Sequence, residues 1–178
     1  MCGRFTQRYT WREVRDLYDL TGAARNLQAH YNIAPTDTVE AVRPVDGGAN
    51  ELVPMRWGLV PRWWKKPLKQ LPASFNARAE SVADKTMFRD AFKRHRCIIR
   101  ASGYYEWIKM PDGHQPYFIS AADGGVLSFA GLWDRRYVAY APSAGFVGHD
   151  GFELYIQFMP PARSSFTTRF KVEMNVTP

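Results

Sequence analysis

RCIIRASGYYEWIKMPDGHQPYFISAADGGVLSFAGL, residues 96–132, decides the fold class. It is a series of short apolar and β-branched runs: CIIRA (97–101), YYEWI (104–108), PYFIS (116–120) and VLSFAGL (126–132). Pro111-Asp112-Gly113 supplies a turn between two of them. Each run is too short for a packed helix and carries the residues that suit a pleated surface. RYVAYA (136–141) and FELYIQF (152–158) extend the series toward the C-terminus, and the tail from Ser164 is harder to assign. Upstream, 38–45 and 51–57 read as two strands around Asp46-Gly47-Gly48, a hairpin turn.

Helical signals are few. Thr10-Trp11-Arg12-Glu13 reads as a capping box, followed by Trp11, Val14, Leu17 and Tyr18 at helical spacing, with a stop near Thr21-Gly22. A second helix is expected over 85–94, with Met87, Phe88, Ala91 and Phe92 on its apolar face. His30 to Thr36 reads as irregular, with Pro35 biasing Ala34 toward extended geometry. Residues 58–73 form a long loop rich in Trp, Pro and Lys. The chain is therefore expected to be a β-rich α+β domain, and 178 residues suit a single domain over 1–178. No internal repeat or low-complexity segment breaks it.

Charge and composition point toward a partner class. Lys+Arg total 24 against 17 Asp+Glu, a net charge of +7 that attracts polyanions, nucleic acid first. Six Trp and nine Tyr accompany it. Most of these rings fill a core, but a few exposed ones among cations suit single-stranded nucleic acid, whose bases stack on aromatic faces. No apolar run is long enough to cross a bilayer, and MCGRFTQRYT lacks the apolar stretch of a secretory signal. The expectation is a cytoplasmic protein, nucleoid-associated if bacterial, with a monomer as the default state. His30, His95, His114, His149 and the two cysteines show no paired spacing of the zinc type, so no metal is expected. No Gly-x-x-x-x-Gly-Lys loop is present, and the chemistry below calls for no cofactor.

The two cysteines differ in setting. Cys97 lies in an apolar run and reads as a buried small hydrophobe. Cys2 becomes the terminal residue once methionine aminopeptidase removes Met1. Amine and thiol then sit on adjacent carbons. The amine, with a pKa of about 7.7–8.0, is substantially neutral at physiological pH. It can attack an aldehyde, lose water to give an imine, and let the thiolate close a five-membered thiazolidine. Ring closure from a single residue gains the advantage of an intramolecular reaction. Elsewhere, Phe75-Asn76-Ala77-Arg78-Ala79-Glu80 alternates, so Asn76, Arg78 and Glu80 are expected to point one way from an extended segment. Glu106 stands among aromatics, where an apolar pocket would raise its pKa and suit it to proton transfer.

MCGRF (1–5), YNIAPT (31–36), RWGLVPRWW (56–64), FNARAE (75–80), RCIIRASGYYEW (96–107) and GLWD (131–134) follow one another in order. Together they resemble the SRAP family, the SOS response-associated peptidase proteins, which includes bacterial and eukaryotic abasic-site shielding proteins. The resemblance implies an α+β domain around an irregular β-barrel. It also implies recognition of abasic sites in single-stranded DNA and a thiazolidine crosslink to the aldehyde of the ring-opened sugar. By motif match Cys2 is the nucleophile, Asn76 positions the terminal amine and the sugar, and Glu106 moves protons during imine formation. Arg4 and Arg78 hold backbone phosphates, Trp64 stacks beside the lesion, and Asn32 and Pro35 line the Cys2 pocket.

The chain departs from the family pattern at two places. Arg100 stands where Pro is usual, a change expected to be tolerated. The His-x-Arg-Met-Pro motif is missing; its nearest counterpart, Ile156-Gln157-Phe158-Met159-Pro160, lacks both His and Arg. In the family that histidine is associated with sugar-ring opening or reversal of the link, so its loss implies slower chemistry or none. His149, in GHDG, reads as a loop histidine, and the region after Asp134 reads as divergent or shortened. Two other function classes remain open. One is an N-terminal-nucleophile thiol peptidase or amidohydrolase, in which Cys2 attacks an amide. The other is a non-covalent reader of single-stranded or modified DNA, which keeps the basic groove and Trp64 but forms no bond.

Overall fold

The computed structural model describes residues 3–140 with their side chains, and the backbone of two further strands over 149–158 and 167–175. Two β-layers share the chain. The first is a closed five-stranded barrel of β3 (Thr38–Pro44), β4 (Asn50–Trp57), β5 (Arg96–Ala101), β8 (Leu127–Asp134) and β9 (Tyr137–Tyr140), in the order β3-β4-β9-β8-β5. The second is a six-stranded sheet in the order β11-β10-β7-β6-β1-β2. Its strands are β1 (Arg4–Gln7), β2 (His30–Ile33), β6 (Gly103–Met110), β7 (Gly113–Ala121), β10 (His149–Phe158) and β11 (Thr167–Asn175). The β-rich architecture and the barrel are as the sequence implied.

The β3–β4 hairpin forms where expected. Gly47 and Gly48 carry φ of 91° and 82°, a left-handed pair that side-chain-bearing residues rarely adopt. Val45 closes the turn by donating its N–H to the Ala49 carbonyl at 2.9 Å. Barrel closure comes from β4 and β9, the one parallel pair in the barrel, with Arg56 opposite Tyr137 and Trp57 opposite Val138. Val39 and Ala41 of β3 enter the barrel core with Met55, Trp57, Ile99 and Val138. Val42 points to the other side, into a cluster with Val14, Leu20 and Leu52 beneath α1 (Trp11–Tyr18). β3 is thus buried on both faces.

The capping box of α1 is formed. The Thr10 hydroxyl accepts from the Glu13 N–H at 3.4 Å, and the Glu13 carboxylate accepts from the Thr10 N–H at 2.7 Å. The helix ends three residues earlier than expected, because Asp19 takes a left-handed conformation and the Asn50 side chain caps the Tyr18 carbonyl. Val14 is fully buried, whereas Leu17, expected on the apolar face, is exposed. α2 (Arg89–Arg94) is shorter than the expected 85–94, being preceded by a turn that closes on the Lys85 carbonyl. Met87 and Phe88 of that turn and Ala91 and Phe92 of α2 pack against Leu59, Ala77 and Leu132.

Other assignments are corrected. His30–Ile33 is a strand, not an irregular segment, because it pairs along β1. His149 opens β10 opposite Asn175 and is not in a loop. The tail, unassigned from sequence, contributes β11. Alternation along 75–80 holds only to Arg78, since Ala79–Ser81 is a 3-10 turn that carries Glu80 away from the extended register.

The chain crosses from barrel to sheet at Ser102, between β5 and β6. Its N–H donates to the Thr6 carbonyl and its hydroxyl accepts from the Arg8 N–H, both at 2.8 Å. Gly103 follows because a Cβ there would meet the Phe118 ring and lie 2.8 Å from the Ile119 carbonyl. The second crossing is made by Gln7, which is 2 % exposed. Its amide donates to the Glu40 carbonyl of β3 and the Arg100 carbonyl of β5, and accepts from the Glu40 N–H.

Candidate lesion-binding site

Three of the expected site residues, Arg4, Asn32 and Glu106, lie about the head of β1. β1 pairs antiparallel with β6, setting Arg4 opposite Tyr105 and Phe5 opposite Tyr104. Glu106 is therefore the next residue along β6 on the side from which the chain enters β1. It is half-buried, flanked by Tyr105 and Trp107 and opposite Tyr117 of β7. On the other side of β1, Arg4 donates from Nη1 to the Asn32 Oδ1 at 2.8 Å. A β-bulge makes this possible: Phe5 faces Ile33 and Gln7 faces His30, so Tyr31 and Asn32 together oppose Thr6. Bulges of this kind re-aim side chains at the edge of a sheet. Cys2 lies outside the described residues; Gly3, the first described, leads directly into Arg4.

Asn76 belongs to a segment held along the barrel. Ala77 N–H donates to the Tyr140 carbonyl at 2.8 Å and Tyr140 N–H to the Phe75 carbonyl at 3.0 Å, so residues 75–77 run parallel to the end of β9. The Trp57 indole N–H donates to the Phe75 carbonyl at 2.7 Å. The Trp57 ring lies edge-on between Phe5, at 5.0 Å, and Phe75, at 6.0 Å. Phe5 and Phe75 are the neighbours of Arg4 and Asn76, so Trp57 sets the spacing of the two segments. Asn76 is half-buried with its Oδ1 sealed from solvent, and Arg78, two residues on, is exposed.

Pro35 is half-buried in a turn that sequence reasoning did not foresee. Thr36 has φ of 84°, an uncommon and strained conformation for a β-branched residue. It is held by its own N–H donating to the Trp57 carbonyl, and by Asp37 Oδ2 accepting from the Ala34 N–H at 2.9 Å. Trp64 is half-buried with its indole N–H enclosed, and packs edge-on against Trp63 at 5.9 Å. Trp63 is the open ring of the pair, 42 % exposed. The loop carrying both is clamped from below by Asp134. This buried carboxylate accepts from the Arg62 backbone N–H at 2.8 Å and from Arg62 Nη2 at 3.3 Å. Sequence signalled Asp134 only as the last letter of GLWD.

Burial pushes the Cys97 thiol up to about 12, so it stays protonated and inert at neutral pH. Among the described residues no group of three or more His, Cys, Asp or Glu comes together to ligate a metal. No helix among the described residues is long and apolar enough to cross a membrane.

Residues 1–145 match the family model described as SOS response associated peptidase (SRAP). The chain belongs to the SRAP family. SRAP relatives include the abasic site processing protein YoaM of Bacillus subtilis, 33% identical over 158 residues, covering 87% of this chain and 64% of that protein. The abasic site processing protein YedK of Escherichia coli is also 33% identical, over 83% of this chain and 66% of its own length. This SRAP chain thus spans just under two thirds of these relatives. A Bordetella bronchiseptica protein of known structure superposes with a TM-score of 0.66 at 21% identity, covering 97% of this chain and 83% of its own. A Bacteroides thetaiotaomicron protein gives 0.64 at 22% identity, covering 79% and 66%. At that identity the superpositions establish the SRAP fold alone.

Proposed function

We propose that this SRAP protein recognises abasic sites in single-stranded DNA and, once Met1 is removed, captures them covalently through Cys2. The abasic processing names of its relatives support the substrate class. The observation that carries the reading is the Arg4–Asn32 pair at the head of β1, on the strand beside Glu106 and across Trp57 from Asn76.

In this reading the terminal amine of Cys2 adds to the C1 aldehyde of the ring-opened sugar. The carbinolamine loses its hydroxyl as water, with Glu106 supplying the proton, and leaves an imine. The Cys2 sulfur then attacks the imine carbon, the C=N electron pair returns to nitrogen, and the thiol proton follows it. One water is lost overall and no redox partner is needed. Asn76 orients the amine and sugar, while Arg4 and Arg78 take flanking phosphates, where a planar guanidinium matches phosphate oxygens. Asn32 and Pro35 wall the Cys2 pocket, and Trp64 supports the face against which the neighbouring base stacks. The counterpart of the family histidine motif falls on Ile156–Phe158 of β10 and on Met159 and Pro160, which lie outside the described residues.

The test is direct. Met1-processed protein incubated with an abasic single-stranded oligonucleotide should give a denaturation-resistant adduct, lighter by one water than the sum of its parts. Cys2→Ala should abolish it. An adduct of equal yield in that variant would sink the proposed chemistry.

A further inference from the structure

Away from the head of β1, a cleft of about 470 Å3 opens between the start of α1 and the 22–27 segment. Its polar lining is Thr10, Arg12, Arg15, Arg25 and Asn26, with Trp11 as an aromatic wall, and no acidic side chain among the described residues lines it. The three guanidiniums are differently committed. Arg25 is tied to Glu40 by two bonds of 3.0 and 2.7 Å and also donates to the Leu52 carbonyl, which fixes it in place. Arg15 leans on its neighbour Asp16. Arg12 is exposed and pairs with no acid among the described residues. The capping box takes up one of the first N–H groups of α1 and sets the Glu13 carboxylate on Thr10, so the helix end adds only the partial charge of the remaining N–H groups.

The chain between Arg4 and this cleft carries one further cation. Arg8 lies four residues beyond Arg4, about 13 Å in extended chain. Its guanidinium caps the Tyr31 ring at 5.8 Å. Tyr31, at 62 %, is the most exposed large hydrophobic side chain among the described residues, and it sits in the same bulge as Asn32. Arg4, Arg8 and Arg12 thus follow one another along the chain, with the open Tyr31 ring against Arg8.

We propose that the α1 cleft is a second phosphate-binding site, taking the backbone of the same DNA strand that enters at Arg4, with Tyr31 as a base platform between the two. This rests on the reading above for the identity of the ligand. Arg12 and Asn26 contact the phosphate, and Arg25, whose charge Glu40 compensates, gives the cleft a fixed wall behind them. The site contributes affinity without sequence preference, because phosphate contacts position a strand but do not read it.

The test uses the full chain and Arg12→Glu, which is compatible with α1 because an acid in the first helical turn is favourable. Asn26→Asp, which leaves the helix untouched, serves as the second variant. Each should weaken binding of a long lesion-free single strand, on the order of tenfold for Arg12→Glu, and flatten its salt dependence by about one phosphate contact. Adduct yield with an abasic oligonucleotide too short to reach the cleft should be unchanged. Wild-type affinity of both variants for the long strand at every salt concentration would overturn the proposal, as would equal losses on long and short strands. Calorimetry with inorganic phosphate separates the sources: tight, Arg12-dependent phosphate binding that long DNA fails to displace would assign the cleft to free phosphate and also overturn it. Should no adduct form on any strand while the Arg12 dependence persists, the lesion chemistry fails and the second site stands.

Discussion

Arg100 stands on β5 at 1 % exposure, with Nε and Nη1 enclosed and without hydrogen-bond partners. Burial lowers its pKa, and the carboxylate that favours its charge, Glu40, is already held by Arg25. A buried guanidinium in this position carries a desolvation cost that its surroundings do not return. Arg100→Met keeps the stem and removes the charge. It should raise stability by about 1–3 kcal/mol in urea unfolding. A loss of stability instead would mean that the guanidinium makes a bond unaccounted for by its surroundings. From the sequence, Arg100 looked like a tolerable exchange for Pro. What that view missed is burial, which depends on α1 lying over β5 and cannot be read from RCIIRA. Cys97, three residues earlier, was legible because a cysteine in an apolar run has one favourable destination, and it is 7 % exposed.

At the scale of elements, the Pro61–Trp64 loop shows how an irregular segment is given a definite shape. Trp64 N–H donates to the Pro61 carbonyl, and Asp134 at the end of β8 receives the Arg62 backbone. Removing that acceptor leaves a partly buried N–H without a partner, at about 1–3 kcal/mol. Asp134→Ala should therefore lower the urea midpoint and slow adduct formation with abasic DNA, with Asp134→Asn intermediate because it keeps one acceptor oxygen. Unaltered stability in Asp134→Ala would show that the clamp does not order the loop. The capping box of α1 was readable, as both partners lie within four residues. β2 was not, because its pairing with β1 joins residues more than twenty positions apart and includes a bulge.

For the molecule as a whole, the relation between barrel and sheet sets where Arg4 and Glu106 stand with respect to Asn76. Gln7 carries much of that relation. Its side chain completes three hydrogen bonds to two barrel strands while its backbone belongs to the sheet. Gln7→Ala leaves buried main-chain groups of Glu40 and Arg100 unsatisfied and should cost about 2–4 kcal/mol. Hydrogen exchange should report the loss most strongly at the β1–β6 pairing. Loss of protection confined to the barrel, with β1 unaffected, would count against Gln7 as the joint between the layers.

The strand-rich class, the β3–β4 hairpin, the α1 cap and the family were legible in the amino-acid order, because each is written in residues close together or in ordered motifs. Ordered motifs also singled out Arg4, Asn32 and Glu106, three residues that the strand pairing sets about the head of β1. Tertiary structure decided the rest: the parallel closure of the barrel by β9, the bulge that brings Asn32 to Arg4, the left-handed Thr36, the burial of Arg100 and the cleft beside α1. These depend on contacts between segments far apart in the chain, where packing geometry overrides local preference. No local pattern of residues encodes which distant partner each will meet.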